Sequence, residues 1–276
     1  MGFSRSKMRV ALAVTATILG CYGLISYILL PATWKHYEHQ KGLAGVAMLT
    51  QTSQGIHGDP MNVGLVASRD DVLCAMHAAG WYPADPITFR SSLKIIGSVV
   101  LDRPYREAPV SNLFYQGKRE DLAFEKPEGR SADRRHHVRF WEVLTQGEEG
   151  RPVWLGAATF DHGVGMSHYT AQVTHHISPD IDAERERLTA DLKKANVVEA
   201  IYEVSGIGLT LNGRNGEGDA YHTDGEIKIS RLVSGCNVKA ETTVELDSPP
   251  LVEIKNAAWK AIADMLQSGD TAAPLE

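Results

Sequence analysis

The chain reads as an α+β domain with a mostly antiparallel central sheet and packed helices, preceded by one transmembrane helix. Three observations predict this. An uncharged run of 21 residues, Val10 to Leu30, stands near the N-terminus. Capped, helix-periodic segments fall in separate blocks, and between them lie alternating segments punctuated by turn residues.

At 1.5 Å per residue, Val10–Leu30 crosses a hydrocarbon core of roughly 30 Å. The run is longer than the apolar core of a cleaved signal peptide and has no A-x-A pattern after it. Ile18-Leu19-Gly20-Cys21 loosely matches a lipobox, but the nine residues after Cys21 stay apolar where a lipoprotein turns polar. Arg5, Lys7 and Arg9 make residues 1–9 a basic tail on the cytoplasmic side, which puts the body on the extracytoplasmic, periplasmic face of an inner membrane. Residues 31–60 read as a linker with a short strand at Val46–Leu49, and residues 61–267 as the globular domain, with a flexible tail over 268–276.

Within that domain, Asn62–Ala67 predicts a strand. Ser68 with Asp71 three residues later caps a helix through Val72, Ala75, Met76 and Ala79, which Gly80 closes. Asp85-Pro86 opens a second helix to Val100. Leu113–Tyr115 and Leu122–Phe124 read as a hairpin about Gln116-Gly117-Lys118; Arg135–Leu144 and Pro152–Phe160 read as another. A strand over Tyr169–Ile177, a helix from Ser178-Pro179-Asp180 to Asn196, and strands at Ala200–Val204 and Gly225–Val233 follow. Pro249–Leu266 predicts the last helix, with Leu251, Ile254, Ala258, Ile262 and Met265 on one face.

Without the basic tail and span, 25 basic residues remain against 34 acidic, a balance of about −9. Such a body repels phosphate backbones, so nucleic acid is excluded as a partner. Cys74 and Cys236 remain outside the span; they either pair or, for Cys74, fill an apolar helical position as a buried thiol.

Gly80-Trp81-Tyr82-Pro83-Ala84-Asp85, Arg134-Arg135-His136-His137-Val138-Arg139-Phe140-Trp141, Val153-Trp154-Leu155-Gly156-Ala157-Ala158 and Thr174-His175-His176-Ile177, followed by Asp180 and Asp182, occur in that order. The combination resembles the LssY C-terminal domain family of bacterial membrane proteins, over roughly residues 60–234. The resemblance implies a membrane-associated domain without an assigned reaction. Some members carry it behind membrane phosphatase or other multi-span segments, and the namesake is linked to a secretion gene cluster. A phosphatase activity belongs to those segments and does not carry over to the domain itself.

Neighbouring residues on a strand face opposite ways, so only one of His136 and His137, and one of His175 and His176, serves any one site. Parity with Val138 and Phe140 puts His136 on an apolar face; parity with Val173 and Ile177 does the same for His175. If their strands adjoin, His136, His175 and Asp161 are the candidate catalytic groups. With His162 they are also candidate ligands for a divalent metal such as zinc. The ordinary alternative is a core histidine satisfied by backbone or a carboxylate. Arg135, His137 and Arg139 share the other face and form a candidate anion-binding stripe, suited to a lipid headgroup or a phosphorylated ligand. Asp180, Asp182 and Glu184 suit a helix N-terminus. Residues 212–219, Asn-Gly-Arg-Asn-Gly-Glu-Gly-Asp, lack the Lys-Ser/Thr of a phosphate loop and read as turns, and Gly165-Met166-Ser167-His168-Tyr169 lacks the second glycine of a nucleophile elbow. The sequence therefore points first to a membrane-anchored binding or accessory module with an envelope partner. The other reading is an envelope hydrolase acting on a phosphorylated or lipid-linked substrate.

Overall fold

A computed structural model of the chain describes residues 5–33, 37–84, 112–129, 134–169, 171, 173–205 and 212–270. The helix expected from Asp85 to Val100 lies outside them. The chain divides into two compact units, Met1–Lys35 with Pro249–Glu276, and His36–Ser248.

In the first unit, helix α1 (Arg5–Leu24) continues through a wider turn at Ile25–Leu29 into Leu30–Thr33. Arg5–Ala32 is long and apolar enough to cross a membrane, and the span is wholly unburied within the protein. The C-terminal helix (Pro250–Asp270) belongs to this unit, not to the globular body as the sequence suggested. Leu251, Ile254, Ile262 and Met265 of its expected core face are exposed, while Val252 and Trp259 are buried.

The second unit is built on a nine-stranded sheet. Its members are β3 (Val63–Val66), β4 (Tyr82–Pro83), β7 (Leu122–Pro127), β8 (Arg135–Leu144), β9 (Val153–Met166), β10 (Val173–Ile177), β11 (Val198–Val204), β14 (Ile227–Leu232) and β15 (Val244–Glu245). They run in the order β15-β11-β14-β3-β9-β8-β7-β4, and β10 pairs with the far half of β9. Most pairs are antiparallel; β14 with β3 and β11 with β15 are parallel.

Helices α2 (Arg69–Ala78) and α3 (Ile181–Lys194) cover one face. Their starts are sequence-determined. Ser68 Oγ accepts from the Asp71 amide at 3.2 Å and donates to the Asp71 carboxylate at 2.7 Å, and Asp180 accepts from the Ala183 amide. Val72, Met76, Leu188 and Leu192 pack there with Trp81, Phe124, Val138, Phe140 and Trp154. A second core fills the opposite face, where Trp141, Val153, Leu155 and Ala157 meet Leu43, Met48 and Tyr115. That side is covered by a small sheet of β1 (Leu49–Gln51), β2 (His57–Pro60), β5 (Phe114–Tyr115) and β6 (Lys118–Arg119). Two expectations are corrected here. The residues read as a linker up to Pro60 supply β1, β2 and the fully buried Leu43. Leu113–Tyr115 does not pair with Leu122–Phe124: positive φ at Gln116 and Gly117 closes a tighter β5–β6 hairpin, and β7 pairs with β8 in the large sheet. Cys74 and Cys236 form a disulfide with 5.1 Å between their Cα atoms.

Candidate functional site

On the face covered by the small sheet, the strand alternation that elsewhere delivers apolar residues delivers charges at one end. Cross-strand pairing sets Glu125 on β7 beside His137 on β8 and Thr159 on β9, and sets Arg135 beside Asp161. All five are buried. Arg135 donates from Nε to Asp161 (2.9 Å) and from its terminal nitrogen to Glu125 (3.0 Å), and so is committed to two carboxylates. His137 lies with Nδ1 3.2 Å from Asp161 and Nε2 2.6 Å from the Thr159 hydroxyl. Arg139 reaches across to Asp59 of β2 (3.3 Å), and Asn215 donates to the other oxygen of Asp59.

Burial opposes ionisation of Asp161, but His137, Arg135 and His175 together hold its carboxyl well below the usual carboxylate range. Burial pushes the Arg139 guanidinium below its ordinary value, against the pull of Asp59, Glu120 and Asp161. Among the described residues, this network sets two guanidinium groups against three carboxylates. The guanidinium groups are thus already met by carboxylates, which favours a neutral polar ligand over a strong anion.

Most of these groups line one half-open pocket. Arg135, His137, Arg139, Asp161 and His175 all line it, with Asp59, Thr52 and Thr174, and the Asn215–Glu217 loop closes one side.

The structure thus brings Asp161 and His175 together with the whole Arg135–His137–Arg139 stripe. It does not bring His136 to them. His136 is on the helix face, where its Nδ1 lies 2.8 Å from Glu184 and its ring stacks near Phe160 and Trp81. It is a core histidine held by a carboxylate, and burial pushes the Glu184 carboxyl up despite that partner. The expected convergence of His136 with His175 fails for two reasons. Both faces of this sheet are buried, so an apolar face does not pick out a side. The β9–β10 register also slips: His176 pairs with Gly163 but Ile177 pairs with Asp161, leaving His162 as an extra, exposed residue. His136 and His162 therefore do not complete a metal centre with Asp161, whose oxygens already face Arg135 and His137.

Sequence reading missed Asp59, Glu125, Thr159 and Asn215. Glu125 and Thr159 give no local signal, since only strand pairing reveals them. Asn215 sits in the glycine-rich segment that reads as turns; it does form a turn, between β12 (Asn212–Arg214) and β13 (Ala220–His222), but its side chain is buried against the pocket.

Fold and site together define an α+β domain with a charged pocket between two sheets, in a chain carrying a helix able to cross a membrane. The chain belongs to the LssY C-terminus family, whose model matches residues 43–227. The match starts earlier than the resemblance suggested, in keeping with the core role of Leu43 and Met48. No curated protein and no solved structure matches the chain.

Proposed function

We propose that the protein is a membrane-anchored, extracytoplasmic binding module of the bacterial envelope, and that its ligand is a small, polar, uncharged or zwitterionic molecule held in the pocket. The observation that carries this reading is the closed charge network of the pocket floor. Its groups are oriented by one another before any ligand arrives, the preorganisation that recognition of a polar molecule requires. The N-terminal apolar helix, the basic residues before it and the Cys74–Cys236 bridge support an anchor with the body in an oxidising compartment.

The hydrolase reading draws on Asp161, His137 and His175 sharing one pocket. Asp161, His137 and Thr159 also line up in the order orienter, base, hydroxyl. The Thr159 side chain, however, is wholly buried between strands, where a nucleophile would not reach a substrate. The binding reading is tested by a thermal-shift screen of the full chain in detergent against neutral sugars, amino acids, short peptides and phosphorylated sugars. Neutral or zwitterionic compounds are expected to raise the melting temperature of the wild type and not of Arg139→Met or His175→Ala. Stabilisation by phosphorylated compounds alone, or equal shifts in all three proteins, would overturn the reading.

A further inference from the structure

His175 and His176 point to opposite sides of β10, so the pocket uses one and leaves the other. His176 meets a second set of groups: His168, just beyond the end of β9, and Asp219, at the end of the loop whose earlier residues line the pocket. We propose that His168, His176 and Asp219 bind a divalent transition-metal ion of the zinc class.

The donor atoms of the three side chains lie within 4.8 Å of one another. His176 Nδ1 is 2.6 Å and His168 Nε2 is 3.7 Å from the same oxygen of Asp219. In a tetrahedral site with bonds of about 2.0–2.1 Å, donor atoms stand roughly 3.3 Å apart. Side-chain shifts that change these separations by at most about 1.5 Å therefore suffice to seat an ion among them. Two imidazoles and one carboxylate suit zinc and its neighbours, whereas magnesium and calcium prefer oxygen throughout.

The backbone around the cluster is built to hold it. The second oxygen of Asp219 accepts from the Ile177 amide at 3.0 Å, which orients the carboxylate as supporting groups do in metal centres. Asn215 accepts from the Asp219 amide and donates its own to the Asp219 carbonyl, while the His168 amide bonds to the Glu217 carbonyl. Two glycines make room. At Gly165 a Cβ would lie 2.4 Å from His176 Nε2, and at Gly218, where φ is +91°, it would lie 2.7 Å from the His168 Cβ. His168 is 62% exposed, so a coordination position opens to solvent, as in three-ligand zinc sites. A purely structural role would be met by the His176–Asp219 hydrogen bond alone, and His168 would have no part in it.

That difference supplies the test. The full chain, purified in detergent without a histidine tag and stripped with a chelator, is titrated with Zn²⁺ by calorimetry and with Co²⁺ by visible absorption. The wild type is expected to take up one equivalent. His168→Ala, at an exposed position that leaves the fold intact by circular dichroism, is expected to weaken binding by at least about tenfold, as is Asp219→Asn. His175→Ala is expected to bind as the wild type does. Absence of stoichiometric uptake, affinity unchanged in His168→Ala, or affinity lost in His175→Ala would each overturn the proposal.

Discussion

Asp161 holds the pocket floor together, because it accepts from Arg135 while facing His137. In the unfolded chain it titrates near pH 4. In the fold its pKa is lower, so on acidification the unfolded state takes up this proton first. The stability that the ionised group contributes is whole above about pH 4 and is lost as the pH falls below that value. Asp161→Asn breaks a buried pair and is expected to cost about 3 kcal/mol at neutral pH. Urea unfolding should show the gap between variant and wild type narrowing below about pH 4; a gap that stays constant down to about pH 3 would show that Asp161 is not held ionised. His136 behaves differently because its partner Glu184 is buried on the helix face. His136→Ala alone should destabilise by about 3 kcal/mol by leaving that carboxyl unpaired, and His136→Leu with Glu184→Leu should recover most of the loss. Equal losses in the single and double variants would argue against this account.

At the scale of elements, the disulfide joins α2 to the segment after β14 across 162 residues of sequence. Cys236→Ser is expected to lower stability by about 2–4 kcal/mol, read as a lower denaturant midpoint that reducing agent does not lower further. A variant as stable as the oxidised wild type would contradict a constraining role. The capped helices and the β8–β9 hairpin were legible because their signals are local: Ser68 with Asp71, Asp180, and alternation on either side of a glycine-containing turn. The rest depended on partners distant in sequence. Gln116-Gly117 is a turn signal, but nothing local says whether the strand after it is Lys118–Arg119 or Leu122–Phe124. The extra residue at His162 is likewise invisible until β9 and β10 are paired, and with it goes the side on which each histidine falls. Residues 37–60 are rich in small and polar types, so their share of the second core rests on Leu43, Met48 and the partly buried Val46, too few to show a period.

For the whole molecule, the sequence indicated an apolar span before an α+β body, since length, charge distribution and hydropathy are properties of the chain itself. The proposed orientation predicts that alkaline phosphatase fused after Glu276 is active in bacterial cells and that a fluorescent protein fused there in its place stays dark. The reverse pattern would place the body in the cytoplasm. The pocket was legible only in part: the Arg135–His137–Arg139 stripe is a parity argument within one strand, whereas Asp59 and Asn215 arrive from other layers of the fold. The most direct test of the pocket as a ligand site is native mass spectrometry of the full chain released from its membrane in mild detergent. The binding reading predicts a bound small molecule on the wild type, absent from Arg139→Met shown to be folded by circular dichroism. A wild type free of any such adduct, or the same adduct on both proteins, would contradict it.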